Sequence, residues 1–340
     1  MHEKNSIIKS GPIFCPHSEC PSQEKKEYHV IKSGTYFTAN GDKRQEYKCK
    51  VCGRKFSETS FSGLYGKQGS EKEYVQTAKL LSYGLNTEQI ADVLERDIRT
   101  IHSWMLAIGQ KAEKFHIFAC LMSCLTFTYL QMDELWSYLM NKRKQLWVFI
   151  GFEAKTKFWI NFELGSRTNN IAQKLVVGIK RLGNCKGVIV TTDKLAAYKN
   201  ALEKVLKKSY SYLQIVKQRI GRRLRCVKQE LIRGKWKDFP DGTRNTSYIE
   251  RLNLTLRQNI SYLTRKTIGY CKNKTSYKLI MWINLFNYNY IKFHKSLREE
   301  INKEAKFFTR RYNHRTPAMA IGITDEQFDW KSLFLYPVPT

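Results

Sequence analysis

The stretch Thr128-Tyr129-Leu130-Gln131-Met132-Asp133-Glu134-Leu135-Trp136 is an apolar segment that runs into two acids. A second stretch, Val188-Ile189-Val190-Thr191-Thr192-Asp193, repeats the arrangement. Each predicts a buried strand that ends in a carboxylate. If the two strands are parallel neighbours, Asp133 and Asp193 emerge at one edge of the sheet, where α/β proteins form ligand sites.

The sequence around these two stretches predicts a sheet with interspersed helices. We expect strands over residues 127–132, 146–152, 158–164, 187–192 and 212–216, and helices over residues 169–182 and 196–207. From Asn245 to about His294 the chain is expected to be mostly helical. Three strands followed by alternating helix and strand are typical of an α/β domain.

A third acid, Glu250, lies on a predicted helix and shares one flank of it with Asn253 and Arg257. Three carboxylates at one point would repel each other unless cations neutralise them, and two Mg²⁺ ions could also stabilise the attacking and leaving oxygens of a phosphodiester. Because side chains alternate along a strand, Asp133 and Glu134 are expected to face opposite ways, so that only one joins the site. Spacing alone leaves open that these are unrelated acids at element ends.

The charge of the chain favours a polyanionic partner. Its 340 residues include 59 Lys and Arg against 30 Asp and Glu, a formal net charge of +29. Nucleic acid is the expected partner, with an anionic membrane surface as the alternative. The 42% hydrophobic and 13% aromatic content excludes a mainly disordered chain. The longest apolar run, residues 117–130, is too short to cross a bilayer, and the polar N-terminus predicts no export.

Two cysteine pairs have the spacing of metal ligands: Cys15 and Cys20, and Cys49 and Cys52. Pairs of thiolates on separate turns can close a tetrahedral site around one structural Zn²⁺, which would stabilise a small module with little core of its own. The segment 49–56 is typical of the second knuckle of a zinc ribbon. His17 and His29 are possible substitute ligands, and four unrelated buried thiols are the alternative.

Residues 88–111 have the spacing of a helix-turn-helix, with a break at Arg96-Asp97. Its second helix would enter the major groove with Arg99, Thr100 and Ser103 near its start. A plain three-helix spacer is the alternative interpretation.

A basic run covers residues 217–237, with nine Lys or Arg residues and one Glu. We expect Arg222, Arg223 and Arg225 to contact the DNA backbone, since the run lies between the second and third acids. A solvated basic face is the alternative.

Three local motifs carry a resemblance to a known family: Asp133-Glu134-Leu135-Trp136-Ser137-Tyr138, Thr192-Asp193 after an apolar strand, and Tyr248-Ile249-Glu250-Arg251-Leu252-Asn253-Leu254-Thr255-Leu256-Arg257-Gln258. Together they resemble the insertion-sequence-1 family of transposases, and Arg265-Lys266-Thr267 also matches its pattern. The resemblance extends over roughly residues 12–275.

The resemblance implies a ribonuclease-H-like catalytic domain whose Asp-Asp-Glu triad maps onto Asp133, Asp193 and Glu250, with Arg257 among the DNA contacts. The expected parts are a zinc ribbon (1–62), a helix-turn-helix domain (63–118), the catalytic domain (119–300) and a C-terminal tail (301–340). Such a metal-dependent transposase would bind the terminal inverted repeats of an insertion sequence, then cleave and transfer DNA strands.

The expected partners are double-stranded DNA, as element ends and target, and further copies of the chain in a homodimer or larger synaptic assembly. A cytoplasmic, nucleoid-associated protein without membrane contact is predicted. Two alternatives share some of these features: a zinc-ribbon DNA-binding regulator with an inactive C-terminal domain, and a metal-dependent endonuclease or resolvase. If Glu250 is not the third acid, Glu230, Asp238 and Asp241 are the next candidates.

Overall fold

The structure is a computed structural model that describes residues 13–17, 19–22, 29–39, 41–61, 65–66, 69–221, 223–301 and 311–338. The helices are α1 (Glu71–Ser82), α2 (Thr87–Val93), α3 (Ile98–Met122), α4 (Asn169–Leu182), α5 (Ala196–Leu206), α6 (Ser247–Asn259), α7 (Lys274–Phe286), α8 (Pro317–Ile321) and α9 (Trp330–Leu335). Short 3-10 turns cover Glu58–Phe61, Trp236–Asp238, Ser261–Leu263 and Lys295–Leu297, and a π turn, Asn287–Ile291, extends α7.

The strands are β1 (Val30–Phe37), β2 (Lys43–Cys49), β3 (Lys55–Ser57), β4 (Tyr129–Leu139), β5 (Asn141–Glu153), β6 (Phe158–Gly165), β7 (Val188–Thr192), β8 (Tyr210–Ile220), β9 (Arg223–Arg233), β10 (Glu299–Glu300) and β11 (Tyr312–Asn313). The expected α/β fold is confirmed. The largest differences in the central sheet are that β4 continues past the acids to Leu139 and that β9 was not predicted, because its basic sequence lacks an apolar alternation.

The central sheet has six strands in the order β6-β5-β4-β7-β8-β9. Strand β7 lies between β4 and β8 and is parallel to both, whereas the other neighbours are antiparallel. The sheet is therefore mixed, with a parallel centre. Strand β8 pairs with β7 only from Tyr210 to Gln214, so that the rest of the β8–β9 hairpin extends beyond the sheet.

Helices cover both faces of this sheet. On one face α4 packs so closely that a Cβ added at Gly151 would lie 2.4 Å from Ile179 Cδ1, and at Gly178 2.2 Å from Asn161 Nδ2. Small residues at the contact allow helix and sheet to approach. The other face carries α3, α6 and α7, where Phe162 packs against Trp282 with ring centroids 4.8 Å apart.

The helical trio α1–α3 shares one hydrophobic core with the sheet. Helix α3 is 25 residues long, and its second half is buried beside α7, with Phe115 against Phe286 at 5.5 Å. Asn86 caps α2 by accepting a hydrogen bond from the Gln89 amide at 2.8 Å. The trio is thus continuous with the rest of the core.

The N-terminal module is a three-stranded antiparallel sheet, β1-β2-β3, with a small core of its own around the cysteines. Buried Arg44 joins it to α1, since its guanidinium lies 2.5 Å from Glu71 Oε2. Glu71 also pairs with Lys331 of α9 at 2.8 Å. Through Glu71, ion pairs therefore connect the N-terminal module to α1 and α1 to α9.

The C-terminal segment completes the core. Trp330 and Phe334 are buried, and Phe334 packs against Tyr74 of α1 at 4.6 Å. Buried Lys111 donates a 2.5 Å hydrogen bond to the Tyr336 carbonyl. Across the parts of the chain described by the structure, every helix is too short or too polar to traverse a bilayer.

Candidate active site

The two aspartates lie at the point where the short central strand ends. The last paired residue of β7, Thr192, is opposite Met132 of β4, so that Asp193 and Asp133 both follow directly. One carboxylate oxygen from each lies within 4.8 Å of the other. The structure thus brings Asp133 and Asp193 together as the sequence predicts, although Asp133 lies within β4 rather than at its end.

Glu250 reaches the same cleft from α6. The buried Gln131 side chain positions this helix, because its Oε1 accepts the Ile249 amide at 2.8 Å and its Nε2 donates to the Asn245 carbonyl at 2.8 Å. The Glu250 carboxylate accepts a hydrogen bond from Thr246 at 2.5 Å and forms an ion pair with Lys217 of β8.

The cleft has a volume of about 1010 Å³ and is lined by both acidic and basic side chains. Its acidic residues are Asp133, Asp193 and Glu250, and its basic residues are Arg167, Lys194, Lys217, Arg257 and Arg265. Acids are therefore surrounded by cations, an arrangement suited to a metal-bound phosphodiester.

Burial and the neighbouring carboxylates oppose ionisation of Asp133. Burial, with the nearby charges of Glu134 and Asp193, raises the pKa of Asp133 to about 7. Burial also raises the pKa of Asp193, against the lowering effect of the Leu195 amide and Arg167. Asn253 of α6 donates a 2.7 Å hydrogen bond to Asp133 Oδ2 and so fixes the carboxyl group. A cation between these groups would relieve their repulsion.

Residues 126–240 match the family model described as IS1 transposase. The chain is therefore similar to this family over about a third of its length. The match contains Asp133 and Asp193 and ends before Glu250, and it confirms the predicted resemblance over these residues.

Among solved structures, the chain is similar to piggyBac transposase in a synaptic complex with hairpin DNA. The identity is 13%, the TM-score is 0.35, and the match covers 64% of each chain. The protein thus spans somewhat less than two thirds of that transposase's length. No curated protein matches the chain significantly.

Glu134 belongs to the carboxylate cluster, and the expectation that it stands apart is wrong. The two neighbouring acids do face opposite sides of the sheet: Asp133 contacts Asn253 of α6, whereas Glu134 accepts a 3.1 Å hydrogen bond from Tyr198 of α5. At the edge, however, one oxygen of each lies within 4.8 Å of the other and of Asp193. Side chains alternate along β4, so Asp133 and Glu134 leave the strand in opposite directions. Their carboxylates can still converge, because the neighbouring strand β7 ends at this point.

Arg167 is a site residue that the sequence did not reveal. Its guanidinium binds Glu134 Oε1 at 2.5 and 2.9 Å and lies 4.8 Å from the Trp147 ring. It occupies the loop between β6 and α4, in Ser166-Arg167-Thr168, where no motif or run of like charge marks it.

The reserve candidates for the third acid have other contacts. Glu230 pairs with Lys194 at 2.9 Å, and Asp238 accepts hydrogen bonds from Ser211 and the Lys235 amide. Neither lines the cleft, and the same holds for Asp241.

The predicted DNA-contacting residues lie on three surfaces. Arg99 is exposed at the start of α3, followed by half-buried Thr100 and Ser103. Arg223 and Arg225 are exposed on β9, and Arg222 lies outside the described residues. Arg257 is half-buried in the cleft wall, where burial and the charge of Arg265 lower its pKa.

The four predicted zinc ligands form one cluster, with all four sulfurs within 4.8 Å of one another. Cys15 and Cys52 are 3.6 Å apart, and Cys20 and Cys49 are 3.7 Å apart. A tetrahedral zinc ion about 2.3 Å from each sulfur would separate the sulfurs by about 3.8 Å. The cluster therefore fits zinc, and neither His17 nor His29 belongs to it.

Proposed function

We propose that the protein is a DNA transposase that binds the terminal inverted repeats of an insertion sequence and catalyses metal-dependent strand cleavage and strand transfer. One observation carries the proposal: Asp133 and Asp193 meet where β7 ends, in a cleft that Glu250 and several cations also line. The family match over residues 126–240 supports it.

The catalytic domain is proposed to be ribonuclease-H-like. Its first three strands form an antiparallel meander, and β7 and β8 add to the other side of β4 in parallel. In this proposal the first acid, Asp133, lies on β4, the second, Asp193, follows the parallel strand β7, and the third, Glu250, lies on the later helix α6.

Asp133, Asp193 and Glu250 would hold two Mg²⁺ ions. Oxygen ligands suit this cation, and the raised pKa of Asp133 indicates a cluster that a cation would stabilise. When bound, the ions would supply an activated water and charge stabilisation for the attacking and leaving oxygens. The chain's own residues do the rest: Asn253 orients Asp133, and Arg257 and Arg265 attract the phosphate backbone.

Lys217 would act as the counter-ion of the third acid, Glu250. Its ammonium group pairs with Glu250 and so offsets the negative charge of this carboxylate. The same ammonium group lines the cleft, where it would also attract the phosphate backbone of DNA.

DNA recognition is assigned to the N-terminal parts. The four-cysteine cluster would bind one Zn²⁺ and make β1–β3 a zinc ribbon, and α2 and α3 would form the helix-turn-helix with Arg99, Thr100 and Ser103 at the bases. The exposed Arg223 and Arg225 on the projecting hairpin would contact backbone phosphates.

We propose that the division at residues 62, 118 and 300 separates functional parts of the protein, although residues 311–338 pack into the shared core. Two element ends must be joined, so a homodimer or larger synaptic assembly acting at the nucleoid is proposed.

A strand-transfer assay tests the function. Purified protein is mixed with Mg²⁺, a labelled DNA end from the inverted repeats that flank the gene, and a target plasmid. A transposase joins the labelled end to the plasmid. Binding without cleavage would indicate the regulator, and cleavage without joining the endonuclease or resolvase; either result contradicts the proposal.

A further inference from the structure

Two tryptophans lie opposite each other just beyond the carboxylate cluster. Trp136 of β4 pairs with Trp147 of β5, and both project from the same face as Glu134, about 7 Å away along the strand. Trp136 is 41% exposed, although its neighbours Leu135 and Ser137 are buried. A large aromatic surface is therefore open to solvent at the edge of the cleft.

Arg167 is held rigidly beside these rings. Its ion pair with Glu134, whose side chain is only 3% exposed, and its position over the Trp147 ring fix the guanidinium from two sides. Tyr198 holds the other oxygen of Glu134 at 3.1 Å. The Arg167 side chain nevertheless remains 43% exposed and lines the cleft, so that its remaining donors can bind a phosphate without a large loss of side-chain freedom.

We propose that Arg167 and Trp136 form a subsite for one nucleotide of a DNA strand. The guanidinium binds the phosphate and the indole ring stacks on an unpaired base. This inference rests on the proposed function, since a DNA end held beside the acids can fray and present an unpaired base to the ring.

The local charge favours a nucleic acid strand as the occupant. Lys142, Arg143 and Lys144, at the start of β5, are exposed at the same end of the β4–β5 hairpin. An aromatic ring beside cations is the usual platform for single-stranded DNA, because every base has a face that can stack. Glu134 acts here as a positioning residue for Arg167.

The test measures binding of two probes to the full-length chain by fluorescence anisotropy. One probe is labelled oligothymidylate of about twelve nucleotides, and the other is the same backbone without bases. Trp136→Ala should weaken oligothymidylate binding about ten-fold and leave the abasic probe unaffected. Arg167→Ala should weaken both, whereas Trp136→Phe should retain most of the affinity.

Phe293→Ala provides the matched control, since this aromatic residue is 44% exposed and lies outside the cleft lining. Trp136→Gln repeats the test if the alanine variant does not fold. Unchanged oligothymidylate binding by Trp136→Ala, or an equal loss on the abasic probe, would overturn the subsite. If the variants show this binding pattern but the protein does not join DNA ends, the subsite stands and the proposed function fails. If the protein joins DNA ends but the variants do not show the pattern, the proposed function stands and the subsite fails.

Discussion

At the scale of single residues, the aspartates of the cleft connect proton binding to metal binding. Burial and neighbouring acids raise the pKa of Asp133 to about 7, so that its carboxyl group is largely protonated below this pH. A metal ion must displace that proton. We therefore expect the apparent affinity for Mg²⁺ to rise as the pH increases from 6 to 8, each value being about one unit from that pKa.

Calorimetric titration of the full chain with Mg²⁺ at several pH values measures this dependence. Asp133→Asn removes one titrating group of the cluster and should give weaker binding with a smaller dependence on pH. An affinity for Mg²⁺ that does not change with pH in the unmodified chain would contradict the assignment of Asp133.

Much of this residue-scale picture could be predicted from sequence. An acid after each of two apolar runs identified Asp133 and Asp193, although the residue pattern did not reveal that β4 continues past Asp133 to Leu139. Arg167 could not be found in this way, since its place depends on a loop that brings it 2.5 Å from Glu134 across 33 positions of sequence. The role of Glu134 depends equally on where β7 stops, which is a property of the sheet.

At the scale of elements, the four-cysteine cluster should determine whether the N-terminal module folds. Cys49→Ser removes a buried ligand, and we expect the zinc content to fall from one ion per chain to nearly none, together with weaker binding to element ends. Metal analysis of purified protein measures the zinc directly. Cys124→Ser is the matched control, because this exposed thiol lies outside the cluster and its replacement should leave the zinc in place.

Helix α3 should recognise the DNA ends of the insertion sequence through its exposed first turn. The Arg99 side chain is 90% exposed, and its only ion pair within the described residues is with Asp97 at 3.2 Å. Such a pair contributes about 0–1 kcal/mol to stability. Arg99→Ala should therefore reduce discrimination between element ends and random DNA, without a measurable change in unfolding. Competition binding with both DNAs checks this, and unaltered discrimination would remove Arg99 from the recognition surface.

Helices with strong apolar periodicity were the elements that sequence predicted best, as the agreement over Asn169–Leu182 illustrates. The β8–β9 hairpin was predicted least well. Beyond Gln214 it has no neighbour within the sheet, so its strands carry polar and basic residues on both faces and lose the period of two. Hydrogen bonding between its own two strands, rather than burial, defines it.

At the scale of the whole molecule, the C-terminal segment is part of the main core. Trp330 is 2% exposed and lies 5.2 Å from the Phe286 ring of α7. Trp330→Ala should lower the free energy of unfolding by about 3–5 kcal/mol, because it leaves a large cavity. Trp236→Ala, at a position that is 46% exposed, should cost far less. Denaturant unfolding of both variants checks the contrast, and equal small losses would mean that the segment is peripheral.

The shared core also affects how DNA recognition can be studied. A fragment ending near residue 115 would expose the buried half of α3, since Phe115 packs against Phe286, Tyr290 and Phe328. Sequence could not reveal this, because these three partners of Phe115 lie more than 160 residues further along the chain. Point substitutions in the full chain are therefore the appropriate probes.

The most direct test of the central claim is strand transfer by amide variants. Asp133→Asn, Asp193→Asn and Glu250→Gln keep the side-chain shape but remove one negative oxygen ligand each. With Mg²⁺ and labelled element ends, each should abolish both cleavage and joining while binding to the ends persists. Glu134→Gln, whose carbonyl oxygen can still accept from Arg167, should retain more activity than these three. Joining of DNA ends by Asp193→Asn at the unmodified rate would contradict the assignment of this cleft as the active site.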